Sequence, residues 1–280
     1  MKNSITIIVC THKMSPFIKK DDIYMPLHVG KVLSKNDLNF QGDNSGDNIS
    51  IKNKNYCELT GLYWAWKNLN SEYIGLVHYR RYFNLKEKDI LKYLQKTDII
   101  LVKPHKMIRS AKEQLFHFCL VEDYCIMMQV IKKLYPEYYQ TALKYFAKNQ
   151  CSPYNMFITS RKILEPYCTW LFSIFEEMEK YVRLSSYSRA SRLYGYLAEN
   201  LLTIYCLHNK LKITYKPEII CEKTQKNNLI KNIACDIIFN IRYLFTDILM
   251  KREDQILSPN SSFMLGLKND GIDIMKDTNQ

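Results

Sequence analysis

Several common signatures are missing from this chain. Its eight glycines never fall as GxGxxG or GxxxxGKS/T, which excludes the dinucleotide fingerprint and the P-loop. A GxSxG elbow is missing too, so the usual α/β-hydrolase nucleophile is excluded. The nine cysteines form no CxxC pair, and the six histidines form no HxxxH and stand beside no cysteine at ligand spacing. A zinc ribbon, a thioredoxin-type motif and a dedicated zinc site are therefore unsupported. No Asp-x-Asp closes an apolar strand, so the usual acidic clamp for Mg2+ or Mn2+ on a diphosphate is not visible. Asp43, Asn44, Asp47 and Asn48 could coordinate a hard cation, yet Asn/Gly/Asp runs of this kind read as plain turns. No stretch approaches the roughly 20 apolar residues of a spanning helix. The first apolar run, Ile5 to Cys10, is short for a signal peptide and goes straight into a polar turn.

What is present is a basic, tyrosine-rich chain of ordinary globular composition. Forty Lys and Arg against 28 Asp and Glu give a net charge of +12. Such a surface favours anionic partners: nucleic acid, phosphorylated substrates or an acidic membrane face. Cysteines scattered through apolar runs point to a reducing compartment and hence to the cytoplasm. The 21 tyrosines lie mostly within helical apolar patterns, such as Tyr135, Tyr138 and Tyr145. That favours core roles over a base-stacking platform, and nucleic acid is not expected as a partner.

Ile5 to Cys10 reads as a buried first strand closed by Thr11, His12 and Lys13. Met14 to Lys54 reads as a long loop region. Tyr56 to Asn68 has helical spacing, with Leu59, Leu62, Tyr63 and Trp66 on one face. Tyr73 to His78 and Thr97 to Pro104 read as further strands, with a short helix at Asp89 to Gln95 between them. Lys112 to Tyr135 and Pro136 to Phe146 read as helices, the second opened by its proline. Asn155 to Thr159 is extended, followed by a long helix to Val182 and another over Leu193 to Leu207. "KITYKPEII" is a late strand. Strands alternating with helices predict an α/β domain with a mainly parallel sheet, spanning residues 1–225. A tail of residues 226–280 follows. In it Ile230, Ile233, Ile237, Ile238, Ile241, Leu244, Phe245 and Ile248 share a helical face, either packed back on the domain or lying on an anionic leaflet. The polar end beyond Pro259 reads as frayed.

Two constellations could carry chemistry. The strand ending at His78 delivers "HYRRY" at the end of a sheet strand, where open α/β sheets bind ligands. Strand alternation would send His78 and Arg80 to one side and Tyr79 and Arg81 to the other. Paired arginines can neutralise a diphosphate through forked hydrogen bonds. Glu199, between Ala198 and Asn200 in an apolar helix, is a carboxylate whose surroundings could raise its pKa and make it a general base. Glu58, Asp47 and Asp123 are the other candidates for that role.

Three stretches, "GDNISIKNKNYCELTGLYWAWKN", "YIGLVHYRRYF" and "SPYNMFITSRKILEPYCTWLF" with the later "GYLAENLLTIY", resemble the bacterial family of capsular and exopolysaccharide biosynthesis proteins. These are galactofuranosyltransferase-like and were formerly known only as a domain of unknown function. The resemblance implies a GT-A-like nucleotide-diphospho-sugar transferase, inverting, with a UDP-sugar donor, galactofuranose the sugar most associated with it, and a lipid-linked glycan acceptor. It implies donor contacts at Thr11, His12, Lys13, Asp47, Asn48, Asn53, Tyr56, Glu58 and Tyr79. Tyr154 and Asn155 would lie on the acceptor side, Glu199 would be the base, and His78, Arg80 and Arg81 would meet the departing UDP. The arginines stand where metal-dependent relatives keep Asp-x-Asp. No metal cofactor is therefore favoured, with Mn2+ or Mg2+ left open. The expected location is cytoplasmic or peripheral on the inner face of the plasma membrane. A non-catalytic scaffold docked on membrane is the competing expectation.

Overall fold

The protein is described from a computed structural model, which covers residues 4–186, 190–221, 229–249 and 256–274. The strands among these residues are β1 (Ile5–Thr11), β2 (Tyr24–His28), β3 (Gln41–Gly42), β4 (Tyr73–His78), β5 (Arg81–Phe83), β6 (Ile99–Val102), β7 (His105–Lys106), β8 (Gln150–Cys151), β9 (Phe157–Ser160), β10 (Ile213–Lys216) and β11 (Glu218–Ile220). The helices are α1 (Asn53–Tyr56), α2 (Leu59–Asn68), α3 (Glu87–Leu94), α4 (Ala111–Leu115), α5 (Val121–Leu134), α6 (Pro136–Phe146), α7 (Arg161–Met178), α8 (Leu193–His208) and α9 (Leu229–Leu249). A final helix, α10, runs over Ser262–Asn269.

Two compact units divide the chain. The first takes Met1–Pro104, Ser152–Thr169 and Arg192–Asn227; the second takes His105–Cys151, Trp170–Ser191 and Asn228–Gln280. The first unit is built on a sheet of order β10-β6-β9-β4-β1-β2-β3, with the small β5 and β11 attached beside β4. All neighbours along this path are parallel except β9, which runs antiparallel to both β4 and β6. The architecture is thus α/β with a mostly parallel sheet. β1 is buried along its whole length, as a central strand covered on both faces must be, which is why it reads as an unbroken apolar run. Helix α2 lies close over it at Gly61. A Cβ there would come within 2.9 Å of Cys10 Sγ and Val29 Cγ1.

The expected loop over Met14 to Lys54 hides β2 and β3. The proline in β2 obscures the strand, since a sheet interior needs every N–H. Here Ile7 donates to the Ile23 carbonyl, Val29 to the Thr11 carbonyl and Asp43 to the His28 carbonyl. Residue 26 therefore faces away from β1, on the side where β3 pairs only Leu27 and His28. Pro26 forfeits no ladder bond.

Two other expectations change. "KITYKPEII" is two strands parted at Pro217: β10 pairs parallel with β6, and β11 pairs antiparallel with β5. Residues 112–135 are two helices, because Asp123 accepts the Leu120 N–H (3.1 Å) and opens a new helix.

In the second unit, α5 and α6 pack through Tyr124 and Phe146, whose rings meet edge to face at 5.1 Å. Tyr138 and Trp170 lie 4.9 Å apart. Of the end expected to be frayed, residues 262–269 form α10: Ser261 Oγ accepts the Met264 N–H (3.2 Å) as its cap, and Leu267 is buried; residues 275–280 lie outside the described residues. No helix among the described residues is long and apolar enough to cross a membrane.

Candidate active site

The chemistry-bearing residues of the first unit gather at the C-terminal end of β4. β4 does not run on through "HYRRY". It ends at His78, Tyr79 and Arg80 make a tight turn, and β5 starts at Arg81. His78 and Arg81 are therefore a cross-strand pair, and directly opposed residues share a face. The expected alternation, His78 with Arg80 and Tyr79 with Arg81, is overturned by this turn. His78 and Arg81 work on one side, while Arg80 lies over the Tyr79 ring at 4.9 Å.

Around His78 and Arg81 stand two carboxylates held by an unusual backbone pair. Tyr154 and Asn155 adopt φ of 74° and 52°, a left-handed conformation that non-glycine residues adopt at a cost and that clusters at functional sites. That conformation turns three groups toward the site. The Tyr154 carbonyl lies 2.6 Å from His78 Nε2. The Tyr154 N–H donates to the Glu199 carboxylate. The Asn155 amide donates to Glu58 Oε1 (2.6 Å) and to the Gly195 carbonyl (3.0 Å). The Tyr154 ring carries Arg81 over its face at 4.3 Å.

The electrostatics follow from this crowding. Burial first, and then the negative charge of Glu58, push the Glu199 carboxyl up to about 8; the Tyr154 N–H, Arg192 and Arg81 oppose the rise. Burial holds His78 below its ordinary pKa, with Arg81 and Arg192 acting the same way and Glu58 against them. At neutral pH the site thus holds one extra proton and a neutral imidazole, the separation of acid and base character expected where protons are moved.

A basic group lies at the end of β1. Thr11 is buried and its hydroxyl donates to the Lys13 carbonyl (2.6 Å), which bends the loop sharply after the strand. The His12 ring meets the Tyr79 ring edge-on at 5.6 Å, and Lys13 approaches the same ring at 5.9 Å. Desolvation lowers the His12 pKa, and the charges of Lys13, Arg80 and Arg192 lower it further.

Arg192, which sequence reasoning did not single out, is thus felt by His12, by His78 and by Glu199. Its Nε lies 3.2 Å from Cys57 Sγ. Its one sequence signal is a cation at the N-terminus of α8, where the helix dipole disfavours positive charge.

The remaining expected donor residues serve the scaffold around this site. Asn53 donates to the Cys57 carbonyl (2.7 Å) and to Thr60 Oγ1 (2.9 Å). Tyr56 stacks on Tyr194 with centroids 4.5 Å apart. Asn48 closes its own turn, donating to the Gly46 carbonyl (2.9 Å) and accepting from the Ser50 N–H (3.2 Å). Asp47 is exposed and turned to α2, accepting from the Tyr63 hydroxyl (3.1 Å).

Asp43 is wholly buried. It accepts from Gly30 N (2.8 Å), Lys31 N (3.1 Å), the Thr60 hydroxyl (2.6 Å) and the Ser50 hydroxyl. Four donors occupy its oxygens, so Asp43 serves to fold this loop and is not free to ligate a cation. Among the described residues no three His, Cys, Asp or Glu side chains gather as metal ligands. His28 is buried with both ring nitrogens lacking hydrogen-bond partners. Asp123 belongs to the second unit, where it caps α5.

Comparison with known proteins agrees with the fold. Among solved structures the chain is similar to the apo structure of the WbbM bifunctional glycosyltransferase, with a TM-score of 0.73 and 29% identity, over 80% of this chain and 46% of that one. It therefore spans about half the length of that protein, and its fold is GT-A-like. No curated protein matches. Residues 6–210, most of the chain, match the family described as "Domain of unknown function (DUF4422)", and the chain belongs to that family.

Proposed function

We propose that this chain is an inverting glycosyltransferase. It would move a sugar, galactofuranose by preference, from a UDP-sugar to a growing lipid-linked capsular, exopolysaccharide or O-antigen glycan. The observation that carries this reading is the Glu58–Glu199 pair held beside His78, Arg81 and Arg192 at the end of β4, in a fold shared with part of a bifunctional glycosyltransferase.

In the reaction, Glu199 takes the proton of an acceptor hydroxyl as that oxygen bonds to the anomeric carbon and the bond from that carbon to UDP breaks. A carboxyl with pKa about 8 is a far better base than an ordinary one and is matched to neutral pH. Glu58, fixed by Asn155, keeps that basicity high by its charge. The bond pair leaves with UDP, and Arg80, Arg81 and Arg192, with Lys13, face the charge that builds there. These cations supply what an acidic metal clamp would otherwise bring, so the reaction is proposed to run without a metal.

Calorimetric titration of UDP in EDTA, repeated with Mn2+, tests the reading. Binding in EDTA that Mn2+ changes by less than about threefold, roughly 0.6 kcal/mol, supports it. Glu199→Gln should abolish transfer from UDP-galactofuranose and leave UDP affinity intact. Absence of UDP binding in both conditions would favour a non-catalytic scaffold.

A further inference from the structure

Helix α9 turns its faces the opposite way from a helix packed on its own domain. Its polar side chains are the ones tied to the second unit. The Asp236 carboxylate accepts from Lys106 Nζ (3.2 Å) and from Asn149 Nδ2 (3.0 Å). Arg242 donates to the Ile108 carbonyl (2.7 Å) and to Glu113 Oε1 (3.2 Å). Cys235, next to Asp236, is buried.

The aliphatic side chains point out. Ile230 is 78% exposed and Leu244 69%, with Ile233, Ile237, Ile238 and Ile241 each about half exposed. Their spacing puts all six on one helical stripe. Single exposed apolar residues are ordinary, but a continuous patch marks a surface that is covered in use.

We propose that this stripe is a membrane-docking surface, lying in the boundary between headgroups and acyl chains of an anionic bilayer. Two observations select lipid over a second copy of the chain. In a paired coil with Ile230, Ile237 and Leu244 at one core position and Ala234 and Ile241 at the other, the flanking positions would be Lys231, Ile233, Ile238 and Asn240. Such positions normally carry the charges that choose a partner helix; here two of the four, Ile233 and Ile238, are exposed isoleucines that widen the apolar face beyond a narrow two-helix seam.

Charge is the second observation. The chain carries +12, and Lys226 and Lys231 precede or begin the helix in sequence, while Lys251 and Arg252 after it are balanced by Glu253 and Asp254. The excess of positive charge at the start of the helix and over the whole chain suits an anionic leaflet. The ties through Asp236 and Arg242 keep the helix parallel to the surface instead of across it. The inference deepens the lipid-linked reading of the acceptor. Its test needs neither donor nor acceptor, so docking and catalysis can fail separately.

The experiment is flotation of the full chain with vesicles of phosphatidylglycerol and phosphatidylethanolamine, compared with phosphatidylcholine alone. Wild type should float with the anionic vesicles and bind the neutral ones at least several-fold more weakly. The double variant Ile237→Asn/Ile241→Asn should lose binding at least tenfold with unchanged helical circular dichroism and UDP affinity. Lys231→Glu should weaken anionic binding without touching the stripe. Wild type that ignores both vesicle types would overturn the proposal. So would a double variant that floats like wild type, or a concentration-dependent dimer lost in the variant with no vesicle binding.

Discussion

Glu199 shows how one side chain can hold both a proton and a function. Its carboxyl is pushed up to about 8 by burial and by Glu58, so the base form grows as pH rises toward 8. In the proposed reaction kcat/KM should climb about tenfold per pH unit below that value and level off above it. Glu58→Gln removes the like charge, so the rising limb should move to lower pH; a limb that stays in place would sink the coupling.

Stability has its own sign. The folded pKa lies above the ordinary carboxylate value of 4.5. The proton-linked contribution is therefore complete below that value and is lost as pH rises through about 8. The melting temperature of Glu199→Gln should fall less than that of wild type between pH 5 and pH 8.

Arg192 is tested at the same scale. Arg192→Ala should weaken UDP binding about tenfold or more, the worth of one charge-assisted hydrogen bond at about 1.5–3 kcal/mol, with Arg192→Lys restoring part of it. Glu199 could be singled out in the sequence because a carboxylate among apolar residues stands out locally. Its partner Glu58 and the cation Arg192 could not be joined to it, because only the crossing of α8 over the loop before α2 brings them near.

At the scale of elements, β1 and β4 were legible because buried central strands are continuous apolar runs. β2 was not, since its proline is tolerated only through the sheet's edge geometry. The turn at Tyr79–Arg80 is the most consequential correction: two residues decide which arginine meets the carboxylates.

The seat of α2 on the sheet gives a direct test. Gly61 leaves no room for a side chain between Cys10 Sγ and Val29 Cγ1. Gly61→Val should therefore destabilise the chain by about 1–3 kcal/mol through overpacking, read as a lower denaturant midpoint with an unchanged slope. A midpoint equal to that of wild type would show that the sheet gives way.

For the whole molecule, the positive charge and the tyrosines have different uses. Tyr124, Tyr138, Tyr145, Tyr167 and Tyr205 are buried, so they build cores instead of a stacking surface. The basic groups near Tyr79 and Arg192 are those that the proposed reaction assigns to the anionic donor. UDP at a hundredfold its Kd should stabilise the fold by about 2.7 kcal/mol. Raising salt from 50 to 500 mM should weaken UDP binding severalfold, because partly exposed cations are screened over about 10 Å or less. Binding that ignores salt would count against a clamp of arginines and lysines.

By itself the sequence determined the α/β alternation, the central strands, the helical tail with its aliphatic stripe and the choice of Glu199 as a candidate base. Each of these rests on periodicity or composition within a dozen or so neighbouring residues. Only the tertiary structure decided that His78 and Arg81 share a face, that Tyr154 and Asn155 hold both carboxylates, and that α9 turns its polar side inward. Those outcomes depend on contacts between segments far apart in the chain, where burial, close approach and long-range charge act and no local pattern records them.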